Sequence, residues 1–70
     1  MEDKKKFIKN TLEYRIPIYF YKAIERELLK RNYLQAIIYT YDLKLMQSLI
    51  DSYGYDLVVE CMIEVFATEE

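Results

Sequence analysis

Hydrophobic residues are densest near the carboxyl end of the chain, between Leu57 and Phe66. Eight of these ten residues are apolar, and only Glu60 and Glu64 interrupt them, one helical turn apart. A helix of this segment has a polar stripe one residue wide, so almost its whole surface has to be covered. Because a chain of 70 residues has little material with which to cover it, we expect a second chain to take part.

Upstream of this segment, the hydrophobic spacing predicts further helices. Pro17 suits the first turn of a helix, and Phe20, Ile24 and Leu28 then recur every four residues. We therefore predict one domain with an all-α fold, a small bundle of three to four helices with the terminal apolar helix central or at a homodimer interface. The predicted helices span residues 4–14, 17–31, 33–53 and 56–67.

The predicted helix 33–53 carries two apolar stripes and admits two interpretations. One stripe has the strict 4-3-4-3 spacing of a coiled-coil seam and comprises Tyr39, Leu43, Met46, Ile50 and Tyr53. We favour one continuous helix, packed on its own chain on one side and on another layer or chain on the other. The alternative is a break near Thr40–Asp42, with Asp42 capping a new helix.

Three residues mark the expected helix ends in this part of the chain. Asn32 and Asp56 are short polar residues of the kind that cap helix N-termini, so we expect them to cap the helices 33–53 and 56–67. Gly54 is expected to end the helix before it, because glycine readily adopts the left-handed conformation found there.

The surplus of apolar residues predicts a surface for self-association. The candidate residues combine one stripe of the helix 33–53 with the terminal helix: Tyr39, Leu43, Met46, Ile50, Tyr53, Val58, Met62, Val65 and Phe66. Eight tyrosines in 70 residues favour the same interpretation, because tyrosine is enriched at protein interfaces. Tyrosine codons are also AT-rich, so genome composition is an equally good explanation of the count.

A second candidate surface lies on the helix 17–31, on the side away from Ile24 and Leu28. It is a basic stripe made of Tyr19, Lys22, Arg26 and Lys30, which Tyr33 extends. Such a stripe suits an acidic patch on a protein or the phosphates of a nucleic acid. The alternative is a solvated face on which Glu25 and Glu27 balance the basic charges. We favour this alternative.

The net charge of −2 conceals a division between the two halves of the chain. Residues 1–31 carry nine basic groups and five acids, whereas residues 32–70 carry one basic group and seven acids. This division indicates either a basic surface for a polyanion or an attraction between the two ends of the chain. We favour a role in packing and solubility.

The sequence contains no catalytic, metal-binding or cofactor-binding motif. It has no histidine, the commonest general base and metal ligand. We interpret Cys61 as a buried core residue, and Glu60 and Glu64 as a solvated edge rather than a pair that shares a cation. We therefore expect no enzyme, no metal and no cofactor.

The sequence also suggests where the protein resides. The single cysteine is typical of a reducing compartment, and the charged N-terminus is not a secretory signal. No run approaches the roughly 20 apolar residues that a membrane span needs. We expect a cytoplasmic protein that does not bind membranes.

Residues Leu49 to Glu60, with the sequence LIDSYGYDLVVE, resemble the helix–Gly–helix junctions of several bacterial all-α domains, including DnaD-like replication proteins. The chain has no tryptophan and so lacks the tyrosine–tryptophan tail motif of that family, and no function is carried over. As a short, acidic, helical chain of AT-biased composition, it is also similar to accessory proteins of phages of low-GC bacteria. Such proteins often bind and block a host protein, including defence effectors.

The function that we expect is therefore non-enzymatic protein binding. The chain would bind itself and a host protein, which it inhibits or regulates by covering a surface. The alternatives are a nucleic-acid-binding transcriptional regulator that uses the basic stripe and a structural assembly subunit.

Overall fold

Short breaks divide the chain into helices, and the all-α prediction is confirmed. The computed structural model describes residues 3–67, and every regular element in that range is helical. The elements are α1 (Asp3–Arg15), a 3-10 helix (Ile18–Phe20), α2 (Tyr21–Leu29), α3 (Tyr33–Ile38), α4 (Leu43–Tyr53), α5 (Tyr55–Met62) and a π-helix (Ile63–Ala67).

The terminal apolar segment lies at the centre of a single chain. Helix α5 packs against α1 and α4, and the π-helix packs against α1 and α2. Val58, Cys61 and Met62 have no exposed surface. The radius of gyration is 10.9 Å, close to the roughly 11 Å expected of a compact chain of this length. Of the two positions predicted for this segment, the centre of the bundle is confirmed, and one chain supplies the cover for these three residues.

The core around α5 draws on all five α-helices. Its buried apolar residues are Ile8, Leu12, Ile16, Ile24, Leu28, Ala36, Ile37, Met46, Leu49, Val58, Val59, Cys61, Met62 and Phe66. Phe66 of the π-helix meets Tyr21 of α2 edge to face, with ring centroids 4.7 Å apart. This ring pair joins the end of the described chain to α2, so the bundle is closed by an aromatic contact.

Pro17 separates the first two helices as predicted. It is extended, with φ −60° and ψ 144°, and it lacks the amide hydrogen that a continuing helix needs. The N–H of Ile16 donates to the Leu12 carbonyl at 3.0 Å, and the Ile16 side chain is buried in the core. The helix predicted from residue 17 begins as a 3-10 turn, in which the Phe20 N–H donates to the Pro17 carbonyl.

The continuous helix predicted over residues 33–53 is wrong, and the alternative break near Thr40–Asp42 is confirmed. Tyr41 has a φ of 57°, a left-handed conformation that no α-helix contains. Asp42 then caps α4, since its Oδ1 accepts a hydrogen bond from the Leu45 N–H at 3.3 Å. The first part of the apolar pattern belongs to α3 and the second to α4.

A buried hydroxyl holds this break together. The Oγ1 of Thr40 donates to the Ile37 carbonyl at 2.6 Å and accepts a hydrogen bond from the Asp42 N–H at 3.3 Å. The hydroxyl thus connects two backbone groups that a Schellman motif would join directly. Thr40 is only 2% exposed, so its polar group needs both partners.

Helix α2 ends in a Schellman motif without glycine. The N–H of Arg31 donates to the Leu28 carbonyl at 3.0 Å, and the N–H of Asn32 donates to the Glu27 carbonyl at 2.9 Å. Arg31 has a φ of 67°, so α2 stops at Leu29, two residues before the predicted end. The conformation is one that glycine adopts without strain and arginine does not.

Two predicted N-caps need correction. Asn32 occupies the N-cap position of α3, but its side chain caps nothing and instead donates to Oε1 of Glu27 at 3.0 Å. Gly54, with φ 97°, ends α4 as predicted and also occupies the N-cap position of α5. Asp56 therefore lies in the first turn of α5, where its negative charge still interacts favourably with the positive end of the helix dipole.

We predict that Arg31→Gly stabilises the protein by about 1 kcal/mol. A left-handed conformation costs a residue other than glycine about 1–2 kcal/mol, and the greater freedom of glycine in the unfolded chain offsets part of the gain. Arg26→Gly, the same change inside α2, is the control and is expected to destabilise by about 1 kcal/mol. Urea denaturation measures both, and an Arg31→Gly protein less stable than wild type would contradict the prediction.

We predict that Thr40→Val destabilises the protein by about 1–3 kcal/mol, because it leaves the Asp42 N–H without its acceptor and removes one of the two donors to the Ile37 carbonyl, which keeps the N–H of residue 40. Thr11→Val is the matched control, since the Thr11 hydroxyl also bonds a backbone carbonyl, that of Phe7, at an exposed position. Its expected cost in urea denaturation is below about 0.5 kcal/mol. Equal losses for the two variants would show that the Thr40 hydroxyl does not hold the break.

Candidate binding surface

The structure distributes the predicted self-association residues over three environments. Four of them are buried in the core of a single chain: Met46, Val58, Met62 and Phe66. Four are half-buried: Tyr39, Ile50, Tyr53 and Val65. Leu43 is exposed. A second chain has no access to the first four in the folded protein, so these residues do not form one exposed face. Self-association itself stays a prediction, for which five of the nine residues keep some exposed surface.

Glu60 and Glu64 do share a cation, and the cation is a lysine of the same chain. Lys5 of α1 places its Nζ 3.1 Å from a carboxylate oxygen of Glu60 and 2.8 Å from one of Glu64. Lys9 places its Nζ 2.9 Å from the other oxygen of Glu64. These carboxylates therefore lie where α1 meets α5 and the π-helix that follows it, and the interpretation of them as only a solvated edge is wrong.

The same contacts shift the protonation of the paired groups. Hydrogen bonds from Lys5 and then from Lys9 lower the pKa of the Glu64 carboxyl. Hydrogen bonds to Glu64 and Glu60 raise the pKa of the Lys5 ammonium. Burial raises the pKa of the Cys61 thiol, which favours the unreactive protonated form. Cys61 is a core residue, as the sequence indicated.

A further ion pair explains the division of charge along the sequence. Arg15 at the end of α1 places its Nη2 3.1 Å from Oδ2 of Asp42, the residue that caps α4. Together with the pairs between α1 and the segment 60–64, this contact joins the basic half of the chain to the acidic half. These contacts support the packing part of the role in packing and solubility that we favoured for the charge division.

An aromatic patch remains exposed where α2 begins. It consists of Tyr19, Phe20 and Tyr41: the Phe20 ring lies 5.3 Å from Tyr19 and 5.0 Å from Tyr41 between centroids. Tyr19 is 82% exposed and Tyr41 is 70% exposed. The neighbouring Ile18 is exposed as well. Large rings that contact one another and face solvent are typical of binding surfaces.

Helix α3 continues this exposed apolar surface. Leu34 and Ile38 lie one turn apart on the same face of α3 and are 70% and 45% exposed. Ile38 lies three residues before Tyr41, and its carbonyl accepts a hydrogen bond from the N–H of Tyr41 at 3.0 Å, so the two residues are neighbours along the backbone. We call Leu34 and Ile38 the α3 pair.

The basic stripe predicted on α2 is only partly occupied by internal contacts. Lys22 and Arg26 are exposed and make no ion pair within residues 3–67. Lys30 places its Nζ 3.7 Å from Oε2 of Glu27. Tyr33 is half-buried at the start of α3. Tyr19, the first residue of the stripe, belongs to the aromatic patch, so cations and exposed rings adjoin.

One concave site was not predicted from the sequence. A cleft of about 560 Å³ is formed where the start of α3 meets the start of α5. Its lining residues are Arg31, Asn32, Tyr33, Leu34, Gln35 and Tyr55. Of these, only Tyr33 was a candidate. No glycine marks the end of α2, so the sequence did not indicate that Arg31 lies at a turn. Tyr55 is more than 20 residues from Arg31 along the chain, so no local pattern placed the two together.

Within the described part of the chain, no three acidic or cysteine side chains gather in a way that would hold a metal ion. No helix among residues 3–67 is both long and apolar enough to cross a membrane. Comparison with known protein families, with curated proteins and with solved structures finds no match to the chain. A function is therefore proposed below from the exposed surfaces of the protein.

We predict that Glu64→Gln lowers the melting temperature at pH 7 by a few degrees, because it removes the carboxylate that joins Lys5 and Lys9. The pKa of Glu64 is lowered by folding, so its contribution is complete above the unfolded-state pKa of about 4.3 and is lost as the pH falls through the lower folded-state pKa. The wild type should therefore lose stability more steeply than the variant below pH ~5.

Thermal melts followed by circular dichroism between pH 3 and 7 test this prediction. Glu13→Gln is the control, because Glu13 is an exposed carboxylate of α1 that joins no ion pair among the described residues. Identical melting profiles for wild type and Glu64→Gln would mean that the ion pairs of Glu64 with Lys5 and Lys9 contribute nothing to stability.

Proposed function

We propose that this protein is a non-enzymatic protein-binding module whose docking surface consists of the aromatic patch and the α3 pair. The observation that supports it most is the ring chain of the aromatic patch, two members of which are largely exposed although they contact a common neighbour. Aromatic side chains of this kind supply much of the binding energy at protein interfaces, because they bury a large area at a small cost in conformational entropy.

The conformation of Tyr41 supports the same proposal. Tyr41 has a φ of 57°, which costs a tyrosine about 1–2 kcal/mol relative to an ordinary backbone. Glycine or asparagine would fill this position with less strain. The cost is explained if the ring is needed on the surface, beside Phe20.

The adjoining cations indicate an acidic partner. Lys22 and Arg26 of α2 follow Tyr19, which lies in the preceding 3-10 helix, and they form no ion pair within the described residues. A second copy docked by the same face in a symmetric dimer would bring these cations together, which is unfavourable. An acidic surface with apolar side chains satisfies both the rings and the charges.

The biological setting that we propose is the one expected from the sequence. A cytoplasmic module of this size would inhibit or regulate a host protein by covering a surface, as phage accessory proteins do. Its alternatives are self-association into a homodimer or a structural assembly, and nucleic-acid binding through Lys22, Arg26 and Lys30. The density of exposed rings favours a protein partner over phosphates, which need cations more than rings.

We predict that peptides selected from a random helical library on the immobilised protein are acidic and contain aromatic or aliphatic anchors. The paired change Tyr19→Ser with Tyr41→Asn should weaken their binding at least 10-fold, because it removes two rings and keeps a residue that tolerates the left-handed backbone. Arg26→Glu should weaken it as well, and more so at low salt. Fluorescence anisotropy measures the affinities.

Tyr14→Ser is the matched control, since Tyr14 is an exposed tyrosine of α1 outside the aromatic patch. Selected peptides that bind the paired variant as tightly as the wild type would contradict the proposal. So would tight binding of duplex DNA that falls steeply between 50 and 200 mM salt and is lost in Arg26→Glu. Light scattering over a hundredfold dilution tests the homodimer.

A further inference from the structure

The cleft at the start of α3 has a lining that differs from the docking surface. Its volume of about 560 Å³ lies within the range of small-molecule sites, which is roughly 300–1,000 Å³. The residues that line it are one arginine, one asparagine, one glutamine, two tyrosines and one leucine, and none of them is acidic. Apart from Leu34, these residues take no part in the function proposed above.

Arg31 gives the cleft its charge. It is exposed and makes no ion pair within residues 3–67. Its planar guanidinium presents paired N–H donors that match the two oxygens of a carboxylate or phosphate. It also lies in the left-handed conformation in which glycine is usual, so the chain retains an arginine side chain here at a cost in stability.

The acid next to the cleft does not cancel this charge. Glu27 is buried, accepts a hydrogen bond from Nδ2 of Asn32 at 3.0 Å and lies 3.7 Å from Nζ of Lys30. Its carboxylate is thus compensated by its own neighbours. The hydrogen bond also fixes the Asn32 carboxamide, which lines the cleft.

We propose that this cleft binds a small aromatic oxyanion, that is, a carboxylate or phosphate carried on a planar ring. Arg31 binds the oxyanion, and the rings of Tyr33 and Tyr55 offer flat apolar surface for the ring of the ligand. The carboxamides of Asn32 and Gln35 supply further hydrogen-bonding groups. For a ligand of about ten heavy atoms in an open cleft, we expect a Kd on the order of 0.1–1 mM.

The test is an NMR titration of the ¹⁵N-labelled full chain with three probes of similar size: benzoate, phenyl phosphate and neutral benzamide. The expected result is saturable shifts of the backbone amides of residues 31–35 and 55 with benzoate, phenyl phosphate or both, and binding of benzamide at least 10-fold weaker. The two anions distinguish a carboxylate site from a phosphate site. Equal binding of benzamide, or no saturable shift with either anion, would overturn the proposal.

Arg31→Gly is the decisive variant because the left-handed backbone favours glycine, so the guanidinium is removed without strain on the fold. It should weaken binding of the anion at least 10-fold while the melting temperature stays at or above that of wild type. Arg26→Gln, at an exposed arginine of α2 outside the cleft, should bind as wild type does. Undiminished binding by Arg31→Gly would overturn the proposal, whatever the outcome for the docking surface.

Discussion

The whole structure depends on covering one apolar helix with a short chain. Helix α5 is apolar on almost every side, and α1, α4 and the π-helix around it leave Val58, Cys61 and Met62 with no exposed surface. Burial of such side chains contributes about 1.5–3 kcal/mol each, which makes this the main stabilising term. The other helices pack so that these side chains are covered. The ion pairs of Lys5 and Lys9 join α1 to the polar edge formed by Glu60 of α5 and Glu64 of the π-helix.

Five short helices achieve this where three long ones would not. A helix continuous over residues 33–53 would extend about 32 Å, whereas the protein measures 28 × 28 × 21 Å. The break at Tyr41 turns the chain so that Ile37 before it and Met46 after it both enter the core. The Thr40 hydroxyl and the Asp42 cap satisfy backbone groups that the turn would otherwise leave unpaired. Shortening the helices is what allows a single chain of this size to bury α5.

The sequence was informative where a single residue type determines the backbone. Pro17 and Gly54 marked their breaks correctly, because proline cannot continue a helix and glycine adopts φ 97° without strain. Arg31 and Tyr41 gave no such signal, since neither arginine nor tyrosine has an intrinsic preference for the left-handed conformation. The same limit applies to the surfaces: hydrophobic spacing identified apolar faces, but it did not distinguish Met46 inside the core from Tyr41 in solvent. The cleft lies between residues 31–35 and Tyr55, which are far apart in the sequence, and hydrophobic spacing within one helix does not predict such a site.

The two left-handed residues connect stability with the proposed binding. Each ends a short helix where glycine would be less strained, and each presents a side chain to one surface: Tyr41 to the aromatic patch and Arg31 to the cleft. A chain optimised only for stability would gain about 1 kcal/mol at each position by replacing them with glycine. Both residues depart from the same backbone preference, and both are candidate binding residues. A role of their side chains in binding explains this better than a role in folding. The strain is then the cost of placing a ring and a guanidinium at helix ends, where the chain turns and its side chains point outward.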